Sequence, residues 1–387
     1  MTPLDKNRIR SIDLLKGLVM VLMVLDHTRD YFYQSSSVLS ITDPENATFP
    51  VYTTRWITHF CAPTFSFLAG MSVFLSGKRK TKTDLSIFLL KRGLWLVFLE
   101  LTVIAFAWYF DIRFRNIDLA VIWCLGISMI FLAAVIHLPK GVILLLSCLL
   151  IFGHNLLDKV HFEGSALWSV LHELSHVELS DTHTLNIIYP IIPWIGVMSL
   201  GYYFGNFYRL TVEASARKRL FNTIGFLAVA LFVVVRWINV YGDPSPWKHY
   251  ATVGQTVMSF LNVTKYPPSL LYLLVTLSGA FLFLANSETW KGKLVDFFCV
   301  FGRVPFFYYI MHLYLIRTLA AVAAELTGYG WQLMVQTQFD IDLKDYGFSL
   351  GVVYAVWVGI ILVLYPFCRQ FDAYKQSHRE KWWLSYL

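Results

Sequence analysis

A lysine and a histidine stand eleven residues apart in the first apolar stretch, Arg10-Ser-Ile-Asp13-Leu-Leu-Lys16-Gly-Leu-Val-Met-Val-Leu-Met-Val-Leu-Asp26-His27. At about 100° per helical residue, eleven steps return His27 to nearly the face of Lys16, and Asp13 falls close to it. A rise of about 1.5 Å per residue puts Lys16 and His27 roughly 16 Å apart along the axis. A histidine so placed is a candidate proton acceptor at neutral pH. Ionisable groups at membrane depth are costly and face a cavity or a partner. The competing reading is structural, a polar seam that packs this helix on its neighbours.

Other segments bring similar groups to comparable depth. The stretch Arg55-Trp-Ile-Thr-His59-Phe-Cys-Ala-Pro63 opens a second apolar run, and Gly302-Arg303-Val-Pro305-Phe-Phe-Tyr308-Tyr309-Ile-Met-His312 lies in a ninth. Lys265-Tyr-Pro-Pro-Ser269 precedes the eighth, and Arg236-Trp-Ile-Asn239 closes the seventh. Arg236 and Lys265 alone would pass as helix-end anchors. His27, His59 and His312 are harder to dismiss, since each sits inside an apolar run. Residues i and i+1 point about 100° apart on a helix, so Asp26 does not orient His27. Asp30 is the better local partner, His59 or His312 could serve across helices, and Asp26 is free to hold Arg55. Glu100, midway along the third run, is expected to pair with a basic residue.

The elements that must position these groups are membrane helices. The chain is 57% hydrophobic and 15% charged, too apolar for a soluble domain of this length. We expect an all-α, polytopic bundle of about ten spans, at 11–33, 55–76, 86–110, 117–137, 141–156, 185–208, 219–240, 267–287, 295–320 and 347–369. The fifth is the shortest. Basic residues gather before the first span (Lys6, Arg8, Arg10), in Lys78-Arg79-Lys80-Thr-Lys82, in Arg217-Lys218-Arg219 and in the C-terminal tail. The net charge of +7 is therefore a topology signal, not a nucleic-acid footprint. It places both termini in the cytoplasm. Residues 1–387 read as one membrane domain with an external loop at 157–184 and a cytoplasmic tail at 370–387. The first span lacks a small-x-small cleavage site and reads as an uncleaved helix. The five cysteines show no metal-like spacing and read as reduced core residues.

In the external loop, His172-Glu173-Leu-Ser-His176 matches H-E-x-x-H, which on a helix would set two imidazoles on zinc beside a glutamate base. Glu178 and Asp181 are candidate third ligands. The loop offers little scaffold for a peptidase, and we expect no metal.

The motifs together resemble a known group. Arg10-Ser-Ile-Asp13-Leu-Leu-Lys16-Gly, Leu25-Asp26-His27, Thr58-His59-Phe-Cys-Ala-Pro-Thr-Phe, Pro193-Trp194-Ile-Gly, Arg236-Trp-Ile-Asn-Val-Tyr-Gly-Asp-Pro, Lys265-Tyr-Pro-Pro-Ser-Leu and Gly302-Arg-Val-Pro-Phe-Phe-Tyr-Tyr are similar to bacterial proteins related to heparan-α-glucosaminide N-acetyltransferase. That group falls within the wider transmembrane acyltransferase superfamily, whose pattern of Arg or Lys, ten residues, then His is met by Lys16 and His27. The resemblance runs from Arg8 to about Arg369. It implies a multi-pass protein of the bacterial cytoplasmic (inner) membrane that takes an acetyl or longer acyl group from acetyl-CoA inside. The group is passed to an amine or hydroxyl of a glycan or lipid-linked sugar outside. Membrane lipid surrounds the bundle, and the lysosomal relative suggests a homodimer. Under this reading His27 is the general base, Lys16, Arg303 and Arg10 hold the CoA phosphates, and Arg55, His59 or His312 stabilise the oxyanion. Asp26 and Asp30 complete the catalytic set, and Arg55, Lys265 and Arg236 serve the acceptor.

In one respect the chain departs from the lysosomal branch, where a histidine past the first helix is assigned as base. No histidine occurs between Thr28 and Thr58, so that role does not carry over. The rival class is a transporter or lipid-binding protein using the same polar cavity, although no internal repeat is visible.

Overall fold

The structure is a computed structural model that describes residues 9–34, 41–209, 211–336, 346–378 and 380–385. Lys6 and Arg8, counted above among the basic residues, lie outside the described residues. In chain order the helices are α1 (Arg10–Phe32), α2 (Phe49–Thr58), α3 (Cys61–Ser76), α4 (Lys82–Leu99), α5 (Ala105–Tyr109), α6 (Val121–Val135), α7 (Lys140–Gly153) and α8 (Ala166–Leu171). There follow α9 (Ile192–Gly205), α10 (Ala214–Ile238), α11 (Val253–Leu261), α12 (Leu270–Ser287), α13 (Lys293–Arg303), α14 (Pro305–Leu326), α15 (Trp331–Gln336) and α16 (Leu350–Ser377).

Among the described residues six segments are long and apolar enough to cross a membrane: Phe49–Ser76, Lys140–Leu157, Ala214–Ile238, Leu270–Ser287, Pro305–Leu326 and Leu350–Ser377. The protein is thus predominantly helical, with the character of a multi-pass membrane protein. The segment at Lys140–Leu157 corresponds to the short fifth span. Helix α1 carries Asp13, Lys16, Asp26, Arg29 and Asp30, so composition alone does not mark it out.

Prolines explain several boundaries. Pro63, Pro193 and Pro305 each fall in the first turn of a helix, where the missing N–H would have no partner anyway. Val304, before Pro305, leaves the α region with φ −129° and ψ 49°. The expected ninth span at 295–320 is therefore two helices, α13 and α14. The second run likewise breaks at His59-Phe60 between α2 and α3. Helix α16 continues through Ser377, so the expected tail from residue 370 begins as helix.

The all-α expectation also needs correction. Strands β1 (Asn116–Leu119), β2 (Ser175–Ser180) and β3 (His183–Ile187) form a sheet in the order β1-β3-β2. Strand β1 runs parallel to β3, and β2 antiparallel. Residues 117 and 185 therefore lie in strands, not at the starts of spans, and the helices that follow are the shorter α6 and α9. The loop at 157–184 contains α8, β2 and the start of β3.

Helix α1 is the axle of the bundle. Met20, Val21, Val24 and Leu25 join one buried apolar cluster with α4, α6, α14 and α16. Ile12, Leu15 and Val19 join another with α3, α9, α10 and α12. Its crossing with α13 depends on two glycines. A Cβ on Gly17 would lie 1.8 Å from the Phe298 carbonyl oxygen, and one on Gly302 the same distance from that of Asp13. Small residues allow this approach of backbones.

Candidate active site

Asp26 and His27 leave α1 in different directions, as adjacent helical residues must. The Asp26 carboxylate is buried and accepts from Arg55 Nη1 at 2.8 and 2.9 Å, Thr58 Oγ1 at 2.8 Å and Lys265 Nζ at 3.0 Å. Arg29 Nη2 lies 2.6 Å away, one helical turn on. Arg29 also binds Asp30 at 2.8 Å. Three cations thus gather on two carboxylates, which leaves a local positive surplus. A buried charge is tolerable when it is paired and hydrogen-bonded in this way.

His27 turns to α14. Its Nδ1 lies 2.8 Å from His312 Nε2, with the ring planes 10° apart. His312 Nδ1 lies 2.9 Å from the Tyr308 carbonyl oxygen. A carbonyl can only accept, so His312 carries its proton on Nδ1 and accepts at Nε2. His27 must then donate from Nδ1, which leaves its Nε2 lone pair free. Trp108 meets the His27 ring edge-on at 4.9 Å between centroids. The partner of His27 is accordingly His312 and not Asp30, whose carboxylate is turned to Arg29.

His27 opens into a cavity of about 660 Å³ lined also by Asp26, Asp30, Trp108, Asp118, His176, Glu178, Asn186, Tyr189, Lys265, Tyr266 and Tyr309. The other expected site residues stand outside the wall. His312 is fully buried behind His27. His59 is buried, its Nδ1 donating to the Arg55 carbonyl at 2.7 Å, with its ring against Tyr272. Arg55 reaches the site through Asp26. Arg236 is not brought to it. Its guanidinium donates to the carbonyls of Ser245, Ser259, Phe260 and Asn262, tying the segment after α10 back onto that helix. Arg236, expected at the acceptor, is thus not among the residues lining this cavity.

A second cavity, of about 580 Å³, lies along the same helices. Lys16, Lys80, Arg92, Arg303 and Lys375 line it with Ser72, Ser76 and apolar side chains. Lys16 Nζ donates to Ser72 Oγ at 2.5 Å, and Arg303 Nε to Asp372 Oδ2 at 2.6 Å. Arg10, expected beside Lys16 and Arg303, instead points to Asp296 on α13 at 2.5 Å. The two cavities stack end to end. On α3 Ala62 lines one and Phe65 the other; on α6 the pair is Val121 and Ile122, and on α14 Tyr309 and Phe306. These lining residues are one to three positions apart, or about 1.5–4.5 Å of helix rise, so the two cavities adjoin along the shared helices.

Glu100 departs from expectation. Helix α4 passes into a π-helical turn at Glu100–Ile104, and Glu100 Oε2 accepts the Trp123 backbone N–H at 2.8 Å. It caps the N-terminus of α6, where a carboxylate is favoured, and among the described residues it pairs with no basic one. The zinc-like motif is also dispersed. His172 follows α8 and binds Asp158, Glu173 binds His161 and Trp168, and His176 on β2 binds Asn186.

The model of the family described as heparan-alpha-glucosaminide N-acetyltransferase, catalytic, matches residues 8–238. The chain belongs to that family. No curated protein matches it. Membership in the heparan-alpha-glucosaminide N-acetyltransferase family assigns an acetyltransferase-like activity in the membrane. The matched region holds Lys16, Asp26, His27, Arg55, Asp118 and His176, whereas Lys265, Arg303 and His312 come from beyond it. Sequence reading missed Trp108, Asp118, Asn186, Tyr266 and Tyr309 in the cavity wall. Only Tyr266 and Tyr309 carried a signal, as neighbours within the Lys265 and Arg303 motifs.

Proposed function

We propose that the protein transfers an acetyl group from acetyl-CoA, with its phosphates in the Lys16 cavity, to an amine or hydroxyl of a sugar in the His27 cavity. The observation that carries the reading is the imidazole pair, which presents an unprotonated His27 Nε2 to a cavity that adjoins a basic one along the same helices. The acceptor N–H or O–H gives its proton to His27 Nε2 as its heteroatom attacks the thioester carbonyl. The developing oxyanion meets the Lys265 ammonium, which spends one N–H on Asp26 and faces the same cavity. The C–S bond then breaks, and the thiolate recovers the proton from His27. Five basic side chains suit the CoA phosphates, and the roughly 16 Å from Lys16 to His27 suits the pantetheine arm.

Lys80 and Lys375 belong to the basic segments expected on the cytoplasmic side, which supports a cytoplasmic Lys16 cavity, a cytoplasmic N-terminus and transfer outward across a bacterial inner membrane. The test is acetyl-CoA binding and thiol release by purified protein in detergent. Lys16→Ala is expected to weaken binding about tenfold or more, and His27→Ala to keep binding while slowing release by about a hundredfold or more. No binding at millimolar acetyl-CoA sinks the reading and leaves the stacked cavities to the transporter class.

A further inference from the structure

The sheet supplies one wall of the His27 cavity, and its residues are in register. Asp118 on β1 pairs with Asn186 on β3, which pairs in turn with His176 on β2. The side chains follow the backbone. Tyr109 Oη donates to both Asp118 oxygens at 2.9 Å, Asn186 Nδ2 donates to Asp118 Oδ1 at 2.7 Å, and His176 Nδ1 lies 2.7 Å from Asn186 Oδ1. The carboxylate fixes the amide, so Asn186 Oδ1 must accept from His176 Nδ1. His176 Nε2 is then an acceptor. Glu178, two residues along β2, shares the wall and is exposed. Burial lifts the Asp118 carboxyl above the usual carboxylate range, opposed by the hydrogen bonds from Asn186 and Tyr109.

The wall thus offers acceptors where a ligand enters. At the floor of the cavity Asp26 and Asp30 are already paired with Arg29, Arg55 and Lys265, whereas the sheet side of the lining carries the carboxyl groups of Asp118 and Glu178. Among the described residues that line the cavity, no lysine or arginine stands on the sheet side. A ligand that meets this wall must bring donors. Hydroxyl and ammonium groups do so, whereas carboxylate and sulfate bring only acceptors and like charge.

We propose that Asp118, Asn186, His176 and Glu178 select the acceptor, taking a neutral or cationic sugar and rejecting one that bears uronate or sulfate. This deepens the acetyl-transfer reading and rests on it for the sugar. The H-E-x-x-H segment acquires a use at this wall, since its second histidine is placed by Asn186 for hydrogen bonding.

The experiment is calorimetric titration of the purified full chain with diglucosamine and with glucosaminyl-glucuronate, for wild type, Glu178→Gln and Glu178→Lys. Wild type is expected to bind diglucosamine at least tenfold more tightly, Glu178→Gln to narrow the ratio and Glu178→Lys to abolish it. Because Glu178 is exposed, these variants keep the fold. Equal or tighter binding of the uronate by wild type overturns the proposal. So does a ratio unmoved by Glu178→Lys, or no binding of either sugar at tens of millimolar. Thiol release from acetyl-CoA is followed in parallel. Its absence with diglucosamine bound sinks acetyl transfer and leaves the acceptor preference standing.

Discussion

With the Tyr308 carbonyl fixing one imidazole and that imidazole fixing the next, His27 has no choice of tautomer. His312 is thereby a positioning residue, one step removed from the reacting atoms. In His312→Ala, His27 loses the acceptor for its Nδ1 proton and can turn that nitrogen to the cavity. We expect kcat to fall about tenfold or more with little change in KM for acetyl-CoA. His312→Gln, whose amide oxygen can accept in place of Nε2, should recover part of the loss. A merely structural role would move both variants together with the melting temperature. Lys16, Asp26, His27 and Arg55 were legible from type and spacing because membrane burial makes each such residue expensive. His312 was among the partners offered for His27, but the choice of it over Asp30 and His59 was not legible, since the pair joins residues 285 positions apart and no local period encodes it.

At the scale of elements, periodicity found most of the helical segments and misjudged their ends. Apolar runs at 117 and 185 look the same whether a short strand leads into a helix or a helix runs throughout. The sheet was accordingly hidden, and with it one wall of the cavity. The breaks at His59 and Val304 were foreshadowed by Pro63 and Pro305, but a proline tells where a helix starts more readily than whether the run before it is a helix of its own. The α1–α13 crossing gives a direct check. Gly17→Ala forces its methyl onto the Phe298 carbonyl, and we expect a loss of about 1–3 kcal/mol or more. Gly141 in α7 has nothing within 4 Å of an added Cβ, so Gly141→Ala should be neutral or slightly stabilising. Thermal unfolding of the two variants in the same detergent makes the comparison.

For the molecule as a whole, the two cavities share helices, so their geometries are coupled through the bundle. The segment from α4 to α5 is the clearest case, lining the Lys16 cavity with Arg92 and Leu96 and the His27 cavity with Trp108 and Tyr109. Between them lies the π-helical turn at Glu100–Ile104, whose wider ring amounts to one residue inserted into an α-helix. Each residue turns a helix by about 100°, so this insertion sets the phase of one chamber against the other. Deleting Thr102 would restore regular winding, leave Arg92 in place and swing Trp108 and Tyr109 from His27 and Asp118. Acetyl-CoA binding should survive the deletion while thiol release does not. The two chambers would then be separately mutable, divided at a single extra residue in one helix.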